Sequence, residues 1–229
     1  MGTRRSYGSY NDGCAAAHAL DLVGDRWTMI VVRELLLGPQ RFTDLQRDVN
    51  GIGPTVLTQR LQALEADGVV RRLPAPRPAR GELYELTAWG YGLEAVNTAL
   101  SRWAVASPAL PRDADMSPDT VVLAMRAHAR PVAAYADERR VALRLTDSRR
   151  ADAEPVTYLA RLGRHGTHLS RPTAPDPAPL HAEVDASTRD WKACLIGGVP
   201  LEDLPDVRTA GDLDVVRRLV EATALAGPG

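Results

Sequence analysis

The sequence predicts an α+β protein in two parts, a helical half with one small hairpin and a half in which helices cover a sheet. Three observations carry that expectation. The stretch GPTVLTQRLQALEADGVVRR, Gly53 to Arg72, reads as a helix that stops at a glycine and runs straight into a strand. Two short strands, Val70 to Leu73 and Glu82 to Leu86, flank a Pro- and Arg-rich loop, PAPRPARG. Beyond a Pro- and Asp-rich stretch from Ser107 to Pro118, strand patterns at 141–146, 156–162, 167–171 and 180–186 are bracketed by helical ones. The expected division is therefore a first domain over 1–106, a linker over 107–118 and a second domain over 119–229.

Bulk properties narrow the function classes. A chain of 229 residues with a hydrophobic fraction of 45% has room for two modest domains, each with its own core. Phe42 is the single phenylalanine, so aliphatic residues must make most of that core. A formal net charge of -1 excludes a uniformly basic binder but not a local basic face. No run of about 18 apolar residues is present, so no membrane span is expected. The start, MGTRRSYGSYNDG, lacks the apolar stretch of a signal peptide. Cys14 and Cys194 lie far apart without CxxC spacing, which fits a reducing cytoplasm and argues against zinc.

Residues 1–12 read as a flexible arm. Cys14 to Val23 forms a first helix with Ala17, Leu20 and Val23 on one side. Asp25 is placed to cap a second helix, Arg26 to Leu37, carrying Trp27, Ile30, Val31 and Leu35 and stopped by Gly38-Pro39. Phe42 opens a short helix, with Thr43 as cap and Leu45 and Val49 facing inward, and Asn50-Gly51 makes a turn. In the next helix Pro54 suits the first position, where a missing N–H costs nothing. Leu57, Leu61 and Leu64 form one apolar stripe. At about 100° per residue, Thr55, Gln59 and Gln62 face the other way, with Thr58 and Arg60 on the flanks. Short amide and hydroxyl side chains suit base edges, Gln bidentate to adenine and Thr to several partners. An ordinary amphipathic surface helix would carry the same stripe, so the neighbours decide.

Those neighbours are two short helices joined by a Gly-containing turn after a longer helix, a helix-turn-helix arrangement. The hairpin that follows is then the wing of a winged helix. Arg71, Arg72, Arg77 and Arg80 cluster there. From Arg41 to Arg80, seven arginines stand against Asp44, Asp48, Glu65 and Asp67, a local surplus of three. Arginine on a loop beside a groove-reading helix supplies phosphate and minor-groove contacts; a solvated loop with incidental charge is the alternative. Thr87 caps the next helix, AWGYGLEAVNTALSRWA, in which Trp89, Leu93, Val96, Leu100 and Trp103 repeat as a heptad seam. Gly90 and Gly92 each weaken an isolated helix by roughly 1 kcal/mol relative to Ala, so packing must hold it. A second copy of the chain would supply a partner for this seam; packing on the C-terminal half is the alternative.

Cys14 and the run Leu20-Asp21-Leu22-Val23-Gly24-Asp25-Arg26-Trp27 are followed by Arg33-Glu34-Leu35 and Gly38-Pro39-Gln40-Arg41-Phe42-Thr43-Asp44-Leu45. Leu57-Thr58-Gln59-Arg60-Leu61, Leu64-Glu65, Asp67-Gly68, Tyr84-Glu85-Leu86-Thr87 and Gly90 complete the pattern. Over residues 14–104, without a gap, this resembles the HxlR family of bacterial winged-helix regulators. The resemblance implies a homodimer paired through its terminal helices, with one recognition helix and one wing per subunit on double-stranded DNA. Thr55, Thr58, Gln59, Arg60 and Gln62 then lie on the recognition helix, Arg77 and Arg80 on the wing, and Arg41 joins them as a DNA-contact candidate. Two-fold symmetry would set two such helices about 34 Å apart and favour an inverted-repeat operator. Some members of that family carry a cysteine at the position of Cys14 that senses oxidants or electrophiles. His18 one turn on, and Arg4 and Arg5 nearby in sequence, are placed to lower its pKa. Ala15 stands where the family's usual proline follows that cysteine, and a small buried residue at a helix start is the alternative.

In the second half, Asp119 to His128 is helical with Val121, Val122 and Met125 on one face. The strands follow, with Gly163 to Gly166 joining the second and third and a stiff segment from Arg171 to Pro179 before the fourth. Ser187 caps a helix containing Trp191, Cys194 and Leu195, stopped by Gly197-Gly198. Gly211-Asp212 starts the last helix, with Leu213, Val215, Val216, Leu219 and Val220. An antiparallel sheet covered by these helices is an α+β layer. With the runs Ala186-Ser187 to Trp191, Leu195-Ile196-Gly197-Gly198 and Arg208 to Asp212, it resembles the sterol-carrier-protein type 2 domain over about 117–225. That resemblance implies a space for a hydrophobic ligand, with Met125, Tyr158, Trp191 and Leu195 as candidate lining; each is equally a core residue. His165, His168 and His181 fall on a hairpin and a separate strand without a carboxylate or thiol at ligand spacing, so no metal is expected. No nucleophile, base and orienter can be named and no phosphate loop is present, so no enzyme and no cofactor is expected. The sequence thus points to a cytoplasmic, homodimeric DNA-binding regulator, expected to repress, with a small apolar effector in its second domain. Rival readings are a redox switch at Cys14 and a lipid-carrier-like protein that uses its first half to dimerise.

Overall fold

The computed structural model describes residues 9–225 except 77, 79, 173 and 175. The chain divides into two compact units, Met1–Ala95 and Val96–Gly229. Arg4, Arg5 and most of the expected N-terminal arm lie outside the described residues.

In the first unit α1 (Ala15–Val23), α2 (Thr28–Leu35), α3 (Phe42–Asp48) and α4 (Pro54–Ala66) precede β1 (Val70–Pro74), β2 (Glu82–Leu86) and the single turn α5 (Ala88–Tyr91). Val31, Val32, Leu35, Leu45, Leu57, Leu61, Leu64 and Leu86 form a wholly aliphatic core, as the scarcity of aromatics requires. Two expected caps are corrected. Helix α2 begins only at Thr28, with Trp27 as N-cap and no side-chain cap bond, because the Asp25 carboxylate is drawn to Arg60 instead. Helix α3 is entered through Arg41, again without a side-chain cap, so Thr43 lies inside the helix. Thr87 does cap as expected. Its Oγ1 accepts from the Gly90 amide at 3.0 Å and donates to the Gly68 carbonyl at 2.8 Å.

The expected single seam helix is divided. Gly92 closes α5, and α6 (Leu93–Ala104) starts after it. The boundary between the two units falls within α6. In the second unit the last turn of α6 is bonded to α7 (Pro118–His128), Arg102 Nε donating to the Ala127 carbonyl at 2.7 Å. The end of the Pro- and Asp-rich stretch is seated rather than free. Lys192 Nζ donates to the Ala114 carbonyl at 2.6 Å, Arg189 pairs with Asp115 at 2.8 Å, and Ser117 is buried as the N-cap of α7.

The second unit contains β3 (Arg139–Thr146), β4 (Val156–Gly163), β5 (Gly166–Ser170), β6 (Ala182–Ser187), α8 (Thr188–Gly197), a 3-10 turn, β7 (Arg208–Gly211) and α9 (Leu213–Thr223). The sheet order is β5-β4-β3-β6-β7. The sheet is not wholly antiparallel as expected, since β3 and β6 run parallel with Val141 opposite Ala182. The segment between β5 and β6 must carry the chain back along the sheet, which a hairpin could not do. Val141, Leu143 and Leu145, with Tyr158, Ala160 and Leu162, are buried on the face that meets α7, α8 and α9. On α7, Asp119 accepts from the Tyr158 hydroxyl and, at 2.6 Å, from Arg171 Nη2, which ties that helix to β4 and the end of β5. Among the described residues, no helix is long and apolar enough to cross a membrane.

Candidate nucleic-acid interface

Helix α4 packs on α2 and β1 through Leu57, Leu61 and Leu64, each at most 1% exposed. Fixing that stripe inward leaves Thr55, Thr58, Gln59 and Gln62 exposed on one uncharged face. Thr58 Oγ1 donates to the Pro54 carbonyl at 2.9 Å, which orients the hydroxyl and leaves its lone pairs outward. No acidic residue stands in the first turn, so the positive end of the helix dipole is not offset there. Arg60, on the flank of that face, is engaged within the fold. Its guanidinium is paired with Asp25, ahead of α2, and its side chain is only 23% exposed. It holds α4 against the approach to α2, and the exposed face of α4 is left to its uncharged neighbours.

The hairpin β1–β2 has Val70 opposite Leu86 and Pro74 opposite Glu82. Gln40 adds a bridge to Tyr84, with backbone bonds of 2.9 and 2.8 Å in each direction, so the wing is rooted beside α3. Its arginines are less available than their number suggests. Arg71 pairs with Glu85 at 2.6 Å, and Arg72 with Glu65 of α4 at 2.7 Å and Glu82 at 3.5 Å. Arg47 is held by Asp44 and Asp48 within α3. The surplus of three expected over 41–80 omitted Glu82 and Glu85, which stand just beyond that window. The basic end of the wing is therefore its tip. There Arg41 Nη1 donates to the Arg80 carbonyl at 2.8 Å, and Gly81 turns the chain with φ 103°. Arg77, expected as a wing contact, lies outside the described residues. The Glu partners were legible in part. Once Val70 is set opposite Leu86, Arg71 falls opposite Glu85, whereas the reach of Arg72 to α4 is a tertiary contact no local pattern gives.

Large apolar side chains are uncovered in each of the two units. None of the side chains of α1 or α6 is buried. Trp89 is 60% exposed and Trp103 is 80% exposed, with Val96, Leu100 and Leu20 also open and Leu93 half-buried. On α6, Val96, Leu100 and Trp103 share one side of the helix.

Cys14 is exposed at the N-cap of α1. The Ala17 amide first, then that of Ala16, draws its thiol below the ordinary value. Cys194 is buried, and burial pushes its thiol up to about 11. The expected effector lining is close-packed, for Met125, Tyr158, Trp191 and Leu195 are at most 2% exposed. Trp191 Nε1 meets Met125 Sδ at 3.4 Å, and the Tyr158 hydroxyl is taken by Asp119. An open cleft of about 450 Å³ lies elsewhere, bordered by Tyr158 but lined mainly from the other face of the sheet and by Pro172, Ala174, Asp176 and Leu180. His165 accepts from Arg164 at 2.9 Å, and His181 Nδ1 accepts from the Arg140 amide at 3.1 Å.

A family model for an HxlR-like helix-turn-helix matches residues 22–109. The HTH-type transcriptional regulator YvaP of Bacillus subtilis is 38% identical over 87 residues, covering 38% of this chain and 80% of YvaP. YtfH of Escherichia coli, also an HTH-type transcriptional regulator, is 33% identical over 94 residues, covering 41% of this chain and 75% of YtfH. Among solved structures, the reduced form of the transcriptional regulator YodB from B. subtilis is 30% identical with a TM-score of 0.38, covering 42% of this chain and 95% of YodB. The family match ends at residue 109, ahead of α7. With the helix-turn-helix at α3–α4, the wing beyond it and relatives of this identity matched over most of their length, the chain belongs to the HxlR-like helix-turn-helix family of transcriptional regulators.

Proposed function

We propose that two copies of this chain pair through exposed apolar side chains of α1, α5 and α6 and together repress transcription from an inverted-repeat operator. The observation that carries this reading is the face of α4. Its exposed side chains are amides and hydroxyls, and its charged flanks, Arg60 and Glu65, are engaged with Asp25 and Arg72. A surface of that kind gains little from non-specific attraction and much from hydrogen bonds to base edges. Phosphate contact falls to the wing tip around Arg80 and to Arg41. The second unit serves as a non-enzymatic effector module, a reading supported by the open cleft on its sheet. Its ligand acts by a population shift carried along α6, whose last turn is bonded to α7 through Arg102. A tenfold loss of operator affinity needs only about 1.4 kcal/mol of differential ligand binding between two arrangements.

The test is an operator selected from random duplexes, followed by binding measurements on single-base variants. Gln59→Ala should flatten preference at one base pair per half-site, with a cost of about 1–3 kcal/mol on the selected site. Uniform weakening on every duplex would remove base reading from α4. A second reading, thiol sensing through Cys14, is supported by the exposure of that side chain and by the N-cap amides that stabilise its thiolate.

A further inference from the structure

We propose that the cleft on the open face of the second unit's sheet binds a small aliphatic carboxylate, and that Asp176 holds the carboxylate position until the ligand arrives. This rests on the reading of that unit as the effector module. The cleft, at about 450 Å³, is of the size small molecules occupy. Its walls are mainly aliphatic, with Ala142 of β3 and Leu159 of β4 below, beside Thr157 and Tyr158, and Pro172, Ala174 and Leu180 from the crossing segment. Leu159 is only 6% exposed although it points away from the helix-covered face, so the crossing segment shelters it.

One end of the cleft is cationic. The Arg140 side chain is 12% exposed and its Nη2 donates to Asp176 Oδ2. Arg161 Nη2 donates to the same oxygen at 3.1 Å, while its Nε faces Glu138 at 3.7 Å. Arg140 Nε is buried and, among the described residues, has no hydrogen-bond partner. A guanidinium binds a carboxylate best through two parallel N–H groups, and Asp176 engages Arg140 through one. The second oxygen of Asp176 is turned back to the Ala178 amide at 3.1 Å in its own segment. A carboxylate arriving along the aliphatic wall is free of that tether and would take Nη2 and Nε together. It would satisfy the orphaned donor and release the crossing segment from both arginines. Arg140, followed by the Ala178 amide, holds Asp176 down at about 2, so the internal competitor is ionised throughout the neutral range.

The experiment is calorimetric titration of the full chain with sodium octanoate and with 1-octanol, which has the same tail and no charge. Octanoate should bind at one site per chain, and 1-octanol at least about tenfold more weakly. Asp176→Asn should tighten octanoate by about tenfold, as the loss of an occluding competitor requires. Arg140→Gln should abolish the preference for octanoate over 1-octanol. Equal binding of octanoate and 1-octanol, no binding of octanoate, or weaker octanoate binding by Asp176→Asn would overturn the proposal. Operator affinity measured on the same samples separates the two readings. Octanoate bound as expected with operator affinity unchanged upholds this site and removes the coupling. An operator response to some other small molecule, with octanoate inert, removes this site and leaves the effector module standing.

Discussion

Cys14 and Cys194 are one residue type placed in opposite electrostatic surroundings. The first caps a helix in solvent, where amide dipoles favour its thiolate; the second is buried beside Asp190, where desolvation and negative charge favour the thiol. Since the thiolate is the nucleophile, the depressed group reacts at lower pH and the elevated one later. Iodoacetamide at neutral pH should label Cys14 and leave Cys194 untouched, as read by mass spectrometry of the digested protein. If Cys14 is a sensor, Cys14→Ser should remove any oxidant effect on operator binding while operator affinity in reducing buffer is unchanged. An oxidant response that survives this substitution would exclude the thiol-sensing reading. Gly90 makes the complementary point about backbone. Its propensity marks it as a weakness in a helix, yet a Cβ there would sit 2.1 Å from the Val69 carbonyl oxygen. The close approach of α5 to the start of β1 requires the glycine, and spacing alone could not say so.

Elements were legible where one face is buried. Leu57, Leu61 and Leu64 announced α4, and the alternation of β3 and β6 announced the sheet, because burial imposes period on sequence. Strand β7 was missed for the converse reason. All four of its residues are exposed, so it carries no alternation. The parallel pairing of β3 with β6 was hidden too, since a strand's own residues record which face is buried and not which neighbour lies beside it. The residues named for a ligand lining were ambiguous for another reason. Met125, Trp191 and Leu195 have the composition of a pocket and of a core alike, and only packing distinguishes them. In the wing, charge counting overstated a basic surface that Glu65, Glu82 and Glu85 largely compensate. Exposed pairs of this kind contribute little to stability, so they tune the field more than they hold the hairpin. The contacts to phosphate should therefore reside in the tip. Arg80→Ala should weaken binding evenly across duplex sequences and lower the slope of log affinity against log salt by about 1. Arg71→Ala should change that slope less. An equal effect from both would place the strand arginines, and not the tip, on the backbone.

At the scale of the whole molecule, each unit exposes apolar side chains that fit the proposed pairing of two copies. A helix with no fully buried side chain gains little from its own chain to offset the entropy of ordering it, and α1 and α6 are both of this kind. Trp103 at 80% exposure and Trp89 at 60% are large apolar groups of the type that mark interaction surfaces. A second copy is the simplest occupant, because a two-fold interface uses the same patch twice and an inverted repeat requires two recognition helices in fixed register. Changing the patch should therefore remove assembly and operator binding together. Leu100→Glu with Trp103→Glu should give a monomer by light scattering and, at protein concentrations where the parent is saturated, lose the inverted-repeat complex. Affinity for a single half-site, weak in the parent as well, should be unaltered, since α4 and the wing are untouched. A double variant that remained dimeric would move the interface elsewhere. One that turned monomeric yet bound the full operator as before would show that pairing and recognition are independent.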